Sequence, residues 1–338
     1  MTLPKMRRHQ SGAALLAAML TVTLVATFAA AALWQQWRGV EIESAERKRV
    51  QASWVLIGAL DWSRLILRED GRPRGSGPMI DHLAEPWAVP LEEARLSSFL
   101  SAEKNIASDS LEGLPDALMS GRIIDAQSRL NVFNLIDGGK PVLTSVAAFT
   151  KLFALLSLPS QEVGILTASL GRALGTGTDP DAGSNANIPL MPKHTSQLVW
   201  LGLSRSTVAA LEPYVTVLPA RTPINLNTAS AEVIYASVPQ LDLASARRLV
   251  ERRASVPFKS PADANTLLTA DKGQFTDGDH SASTRFFEVH GRLRLDRTSI
   301  EEHSLLQLDG LLVKTLWRER EAISSAIPTT SNARAVAY

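Results

Sequence analysis

The stretch GAALLAAMLTVTLVATFAAAALWQQW, from Gly12 to Trp37, contains no charged residue and decides the fold of the first part of the chain. As an α-helix, the 22 residues from Ala13 to Trp34 would span about 33 Å, close to the hydrocarbon thickness of a bilayer. A cleaved secretory signal has a shorter apolar region, of about 7 to 15 residues, and ends in a small-residue cleavage site. The stretch therefore predicts a helix that stays in a membrane.

Basic residues precede the apolar stretch at Lys5, Arg7 and Arg8. Positively charged flanks of a membrane helix usually remain in the cytoplasm. We therefore expect a single-pass membrane protein with its N-terminus in the cytoplasm; if the host is a bacterium with two membranes, this places it in the inner membrane, with everything after Trp37 in the periplasm.

The helical pattern continues beyond the membrane stretch. Apolar residues recur three or four positions apart, at Val55, Ala59, Trp62 and Ile66. This spacing gives a helix one apolar face, which can pack on a folded domain. Gly71 and Pro73 then end the pattern. We predict one helix that is apolar on all sides at first and amphipathic afterwards.

The composition of the 338 residues is that of a folded protein, with 45% hydrophobic and 20% charged residues. A formal net charge of +1 gives no overall field that would favour a polyanion such as DNA. Because there is no cysteine, structural disulfides and thiolate metal sites are excluded. The length allows two modest domains.

Strand patterns occur in two regions that lie far apart in the chain. In the first, apolar pairs flank a polar turn, at Ile123 and Ile124 and at Leu130 and Val132. In the second, apolar and polar residues alternate through Phe287, Val289, Leu293 and Leu295. The segments SIEEHSLLQLDG (299–310) and LLVKTLWRER (311–320) follow, with a turn at Asp309 and Gly310. These segments predict an antiparallel sheet, and the pattern between the two regions is helical.

The segment PINLNTASAEVIYASVP, Pro223 to Pro239, resembles part of a helix-hairpin-helix, a module that binds nucleic-acid backbones. Such modules offer bare backbone N–H groups to phosphate through a turn of the type Pro-Gly-hydrophobic-Gly. Here the turn reads Pro-Gln-Leu-Asp, so both glycines are missing and Asp242 would repel a phosphate. We therefore interpret the segment as a packing element that binds no nucleic acid, with Asn227 or Thr228 as the helix N-cap.

A short basic leader ending in Gly12, followed by a helix that is hydrophobic and then amphipathic, resembles the class III signal of type IV pilins and type II secretion pseudopilins. The resemblance implies cleavage by a prepilin peptidase between Gly12 and Ala13, and methylation of the new N-terminus. It also implies that neighbouring subunits pack on the apolar helix. Our candidates for these packing contacts are Leu15, Leu16, Ala17, Met19 and Leu20.

The residue at the fifth mature position differs from that of most pilins and indicates one type of pseudopilin. Pilins normally carry a glutamate at the fifth mature position, which is thought to neutralise the amine of the preceding subunit, and this chain has Ala17 there. A subunit with nothing ahead of it has no such amine to neutralise. Loss of the glutamate is typical of the K-type minor pseudopilin, the large subunit at the tip of the type II secretion pseudopilus. The phrases DAQSRLNVFNL (125–135) and TPINLNTASAEVIYA (222–236) also look like that family.

The resemblance implies an α+β fold, in which a long N-terminal transmembrane helix packs on an antiparallel pilin-like sheet with a large all-helical insertion domain. The boundaries we predict are a leader over 1–12, a transmembrane and amphipathic helix over 13–68, a pilin-like domain over 69–138 and 281–322, a helical insertion over 139–280 and a disordered tail over 323–338.

The resemblance also implies a function. A K-type subunit forms a complex with the I-type and J-type minor pseudopilins and initiates the pseudopilus that exports proteins across the outer membrane. The inner-membrane secretion platform is a further partner. Two rivals remain at this point: a tip pilin of an adhesive type IV pilus, and a membrane-tethered DNA receptor of the competence type. An ordinary membrane anchor that contains a chance glycine is the third alternative.

Calcium is the one cofactor we consider, because K-type pseudopilins include members with calcium sites in loops of the insertion. The loop GTDPDAGSNANIP (177–189) offers oxygen donors at Asp179, Asp181, Asn185 and Asn187. Asp277 and Asp279 form a second candidate. The first loop lacks the usual bidentate glutamate, so we expect that no cofactor is required and keep calcium as a candidate.

Catalytic motifs are missing from the sequence. The six histidines show no HExxH spacing, and no GxSxG, Walker or dinucleotide-binding glycine motif is present. The sequence therefore predicts a structural protein and not an enzyme.

Overall fold

The computed structural model describes residues 11–73, 78–98, 117–175, 188–295 and 298–324. It divides into two compact units, residues 1–55 and 56–338. The described part of the first unit is helical throughout and belongs to helix α1, which runs from Ser11 to Asp70. The helix thus extends two residues beyond each end of the helix predicted over 13–68.

The second unit contains the remaining described elements. Its strands in chain order are β1 (Leu91–Arg95), β2 (Ala117–Asp125), β3 (Leu130–Asn131), β4 (Ile136–Asp137), β5 (Lys140–Pro141), β6 (Val215–Thr216), β7 (Ile224–Asn225), β8 (His280–Ser281), β9 (Phe286–Leu295), β10 (Thr298–Asp309) and β11 (Leu312–Ser324). Its helices after α1 are α2 (Leu143–Leu155), α3 (Gln161–Ala173), α4 (Arg205–Leu211), α5 (Ala231–Ser237), α6 (Leu243–Ser255) and α7 (Pro261–Asn265). A 3-10 helix, Thr195–Leu201, precedes α4.

The main sheet has five strands in the order β1-β2-β9-β10-β11, and all neighbours are antiparallel. The strands predicted around Ile123 and over the second region are therefore present and form one sheet. The strand predicted at Leu130 and Val132 is wrong in part, because only Leu130–Asn131 is extended, it pairs with β6 outside the main sheet, and a 3-10 helix begins at Val132. The turn predicted at Asp309 and Gly310 joins β10 to β11, with Gly310 at a φ of 61°. Glycine suits this turn because a side chain disfavours positive φ.

One face of this sheet packs against the last part of α1. Leu60 and Leu67 of the helix join Phe287, Leu306 and Val313 of the sheet in one buried cluster. A Cβ atom on Gly291 would lie 3.3 Å from a methyl carbon of Leu56, so this glycine allows the helix to approach the strand closely. The amphipathic pattern predicted from the sequence thus corresponds to a helix face that the sheet covers.

A large insertion separates two strands that are neighbours in space. β2 pairs with β9 from Ala117–Leu295 to Asp125–Phe287, and helices α2 to α7 lie between these strands in the chain. The insertion has its own core, in which Phe149, Phe153 and Leu198 are fully buried. Three two-stranded sheets, β3-β6, β4-β5 and β7-β8, also lie there. The α+β class is confirmed, and the insertion is largely rather than wholly helical.

The N-cap predicted for α5 is wrong. Ser230 caps the helix, because its Oγ atom accepts from the backbone N–H of Val233 at 3.3 Å. Asn227 instead points into the interior, where it donates to the carbonyl oxygen of Phe258 at 2.9 Å and accepts from the N–H of Phe258 at 2.8 Å. Thr228 donates to Asp125 at 2.5 Å. These side chains bind buried partners that are distant in sequence, so local capping rules misassigned them.

Candidate functional site

The residues predicted for processing and packing lie on the exposed first part of α1. Gly12 has no neighbour within 4 Å of where a Cβ atom would lie. The large apolar residues Leu15, Leu16, Met19 and Leu20 are each more than 60% exposed. Ala13 and Ala17 are exposed as well. All the predicted packing residues are therefore exposed on the uncovered first part of α1.

Such a surface requires an apolar partner, because a run of exposed leucines in water is unfavourable. Among the described helices, α1 is the one that is long and apolar enough to cross a membrane. Trp34 and Trp37 end the apolar stretch, with ring centroids 5.4 Å apart. Tryptophans favour the membrane–water interface, which fits the end of a membrane span at this point.

The turn between α5 and α6 corresponds to the hairpin that sequence analysis compared with a helix-hairpin-helix. Asp242 caps α6 by accepting from the backbone N–H of Ser245 at 2.7 Å. Lys272 lies 2.8 Å from the same carboxylate, and together with Ser245 it holds the pKa of Asp242 below the usual range. The carboxylate of Asp242 thus occupies the helix N-terminus at which a DNA-binding hairpin would receive a phosphate.

The other side of this turn is held by Lys151 of α2, which sequence analysis did not identify. Its Nζ atom donates to the carbonyl oxygens of Tyr235, Val238 and Leu241 at 2.8, 2.7 and 2.6 Å. The same atom lies 3.9 Å from the centroid of the Tyr235 ring. All three ammonium donors are therefore used. Burial lowers the pKa of Lys151 to about 8. The sequence feature that could have identified Lys151 is its place as the one charged residue in the apolar segment AAFTKLFALL.

The two phrases that look like the family meet in space through a polar network. Asn134 and Thr222 form reciprocal bonds, in which Asn134 Nδ2 donates to the Thr222 carbonyl at 2.7 Å and the Thr222 N–H donates to Asn134 Oδ1 at 3.0 Å. Asn131 donates to the carbonyl oxygen of Ala220 at 2.7 Å. These side-chain amides fasten the segment after β2 to the segment that leads into α5.

Asp125, at the end of β2, is the buried centre of this junction. It accepts from the N–H of Gln127 at 2.7 Å, from Asn225 Nδ2 at 2.8 Å and from Thr228 Oγ1 at 2.5 Å. Burial raises the pKa of Asp125, and the three donors oppose that shift. The main sheet and the insertion therefore share one hydrogen-bonded joint built from residues of both phrases.

The calcium candidates stay predictions. Asp179, Asp181, Asn185 and Asn187 lie outside the described residues. Within the described ranges, the one group of three His, Cys, Asp or Glu side chains whose ligand atoms all lie within 4.8 Å of one another is Asp70, Asp81 and Glu85, and it includes neither Asp277 nor Asp279.

That acidic group has internal partners. Glu85 accepts from the indole N–H of Trp87 at 2.7 Å, and Asp81 accepts from the backbone N–H of Thr284 at 2.7 Å. Burial raises the pKa of Asp81 to about 8. We regard the group as part of the packing around Trp87, because two of its three carboxyl groups, those of Asp81 and Glu85, accept hydrogen bonds from protein donors.

Comparisons with known proteins agree with this architecture. Residues 128–220 and 224–282 match two family models, both described as type II secretion system (T2SS), protein K. Over 332 residues the chain is 28% identical to type II secretion system protein K of Pseudomonas aeruginosa, covering 94% of this chain and 91% of that protein.

A solved structure is similar as well. It is the crystal structure of the GspK-GspI-GspJ complex from the type 2 secretion system of enterotoxigenic Escherichia coli. The similarity has a TM-score of 0.56 at 17% identity and covers 82% of this chain and 98% of the matched chain. At that identity the likeness concerns the fold.

Proposed function

We propose that this chain, which matches the type II secretion system protein K models over residues 128–220 and 224–282, is a minor pseudopilin that joins I-type and J-type minor pseudopilins to start a pseudopilus. The observation that carries the proposal is the uncovered apolar surface of α1. Helices of this kind pack against one another within a membrane or a fibre through close apolar contacts. The solved relative, which is part of a complex with GspI and GspJ, supports partners of these two classes.

The position at the tip is the second part of the proposal. Ala17 cannot neutralise the N-terminal amine of a preceding subunit, so a place with no subunit ahead suits this chain. The insertion between β2 and β9 adds a bulky body to the pilin-like sheet. A body of that size would hinder the addition of another subunit above it.

The location and maturation of the chain complete the proposal. Lys5, Arg7 and Arg8 favour a cytoplasmic N-terminus, with the second unit in the periplasm. Prepilin peptidase would cleave between Gly12 and Ala13, and the mature N-terminus would be methylated. Export across the outer membrane would then depend on the inner-membrane platform that extends the pseudopilus. Calcium binding by residues 179–187 remains a separate proposal, and no catalytic role is proposed.

The two rival functions are not favoured. A competence-type DNA receptor would need a phosphate-binding hairpin, and Asp242 occupies that helix N-terminus in this chain. An adhesive pilus tip would belong to a different assembly from the one that the family name describes.

Co-purification tests the proposal. The full-length chain, extracted in detergent, should form a stable complex with I-type and J-type minor pseudopilins encoded in the same secretion gene cluster. The abundant major pseudopilin of that cluster is the control, since it should not replace the two minor subunits. If the chain elutes alone in the presence of both partners, the proposed complex is wrong.

A further inference from the structure

A cavity lies between the last part of α1 and the main sheet, within the second unit. Its volume is about 270 Å³. An apolar cavity of about 150 Å³ holds benzene, and pockets for small molecules begin at about 300 Å³, so this cavity has room for one substituted ring. Val89 and Trp62, which are 66% and 39% exposed, form part of its wall. The cavity therefore reaches the surface.

The wall of the cavity is largely apolar. Gly121 of β2 is paired with Gly291 of β9, so the sheet offers only backbone at this point of the wall. Contact of an apolar molecule with such a wall is favourable because it removes apolar surface from water. The main apolar side chains of the wall are Leu56, Leu60, Trp62, Trp87, Met119 and Val289.

Ser304 of β10 adds a hydroxyl group to this wall. Ser304 lies opposite Val289 in the β9-β10 pair, and Val289 packs with Leu60 of α1, so the serine side chain also faces the helix. The residue is 1% exposed, and within the described part of the chain its Oγ atom has no hydrogen-bond partner. A buried hydroxyl group without a partner is unfavourable. It is therefore the polar group that a molecule in the cavity can bind.

The charged side chains beside the cavity are paired or face away from it. Glu302 accepts from Arg318 Nη2 at 2.7 Å and from Arg320 Nη2 at 2.6 Å. Arg122 and His290 also contribute atoms to the wall, but they lie opposite each other on the sheet face that points away from α1. The cavity thus favours an uncharged molecule.

We propose that this cavity binds a small uncharged molecule that has an apolar body and one hydroxyl group, such as a phenol. The apolar body lies against Leu60 and Trp87, and the hydroxyl group bonds Ser304 Oγ. Serine can donate to this group or accept from it, so one hydrogen bond satisfies the buried Oγ atom in either direction. A molecule of the same shape without the hydroxyl group leaves Ser304 unpaired, so the hydroxyl group should determine specificity.

Fluorine NMR tests this site with 4-fluorophenol and fluorobenzene as probes. The full-length chain is placed in lipid nanodiscs, and the signal from empty nanodiscs is subtracted because both probes enter lipid. We expect saturable binding of 4-fluorophenol and about fivefold weaker binding of fluorobenzene. Ser304→Ala should weaken the binding of 4-fluorophenol about fivefold and leave the binding of fluorobenzene unchanged.

Two substitutions at Ser63 test whether the probe binds in the cavity. Ser63 lines the cavity, and its Oγ atom donates to the carbonyl oxygen of Ala59 in the same helix at 2.9 Å. Ser63→Leu should fill the space and abolish saturable binding of 4-fluorophenol, whereas Ser63→Ala should bind it as the unchanged chain does. Circular dichroism shows whether each variant is folded. If Ser63→Leu does not fold, the comparison of the two probes with Ser304→Ala decides.

A third probe, N-acetyltyrosinamide, represents a tyrosine side chain of a partner protein. It should bind more weakly than 4-fluorophenol, and tighter binding would overturn the assignment to a small molecule. The proposal is also wrong if the unchanged chain shows no saturable binding of 4-fluorophenol. Equal affinity for 4-fluorophenol and fluorobenzene, or unchanged binding of 4-fluorophenol by a folded Ser63→Leu chain, would overturn it as well.

Discussion

A Gly12→Val substitution is expected to leave the chain as an unprocessed precursor. A residue without a side chain leaves the backbone open to a protease at the membrane surface, and a branched valine would block that access. The valine should not disturb the helix, because among the described residues no atom outside the local helix backbone lies within 4 Å of the position a Cβ atom would take at Gly12. Intact mass and N-terminal sequencing of the membrane-extracted protein should show Ala13 as the first residue of the unchanged chain and Met1 in the variant.

Gly39→Val is the matched control for this experiment. Gly39 lies in the same helix and also has no neighbour within 4 Å of a Cβ position, so the valine is tolerated equally well there. The control should be processed as the unchanged chain is. Normal cleavage of the Gly12→Val chain would refute the assignment of the processing site.

A Lys151→Met substitution should have the largest effect on the stability of the second unit. Methionine has a similar length but cannot donate, so the carbonyl oxygens of Tyr235, Val238 and Leu241 would lose their shared donor. Hydrogen bonds to charged groups contribute about 1.5 to 3 kcal/mol each, and solvent can replace part of that at a site that is not fully enclosed. We expect the free energy of unfolding to fall by about 3 kcal/mol.

Urea unfolding followed by circular dichroism measures this loss. Lys259→Met is the control, because Lys259 is exposed in the same insertion and its substitution should change the unfolding free energy little. Equal midpoints for the two variants would show that Lys151 does not hold the hairpin.

The sequence supports the prediction of elements whose signals are local. The run without charges from Gly12 to Trp37 predicts the first part of α1, and the alternation at Phe287, Val289 and Leu293 predicts β9. Asp309 and Gly310 predict the last turn, because glycine accepts the positive φ that the structure has there. In each case the prediction depends only on residues within one continuous segment of the chain.

Other features depend on partners that are distant in the chain. Asn134 bonds Thr222, Asn227 bonds Phe258, and Lys151 bonds three carbonyl groups around the hairpin. An isolated asparagine or threonine is typical of a cap or a turn, so the sequence predicts Asn227 or Thr228 at the N-cap position that Ser230 occupies. The pairings β3-β6 and β7-β8 could not be predicted for the same reason, since each strand has only two residues and its partner is distant in the chain.

The resemblance inferred from the leader, from Ala17 and from the two phrases is confirmed by the family matches. The fold gives these phrases a physical meaning. They are the two sides of one polar joint, with the buried carboxyl group of Asp125 at its centre. Side chains that satisfy each other in a buried joint are required together, because a single loss leaves a buried polar group without a partner.

The central claim is that the apolar surface of α1 contacts the helix of another minor pseudopilin, and disulfide cross-linking tests it most directly. Because the chain has no cysteine, one introduced cysteine reports one position. Single cysteines are placed at Leu15, Leu16, Ala17, Met19 and Leu20, and each chain is co-expressed with an I-type partner carrying one cysteine in its own apolar helix. Leu143→Cys is the control, because that leucine is 80% exposed but lies in the insertion.

Oxidation in isolated membranes, followed by non-reducing electrophoresis, gives the result. We predict a covalent heterodimer from at least one of the five helix positions, with the strong positions three or four residues apart, and none from Leu143→Cys. Absence of a heterodimer at all five positions, when scanned against each position of the partner helix, would contradict the account.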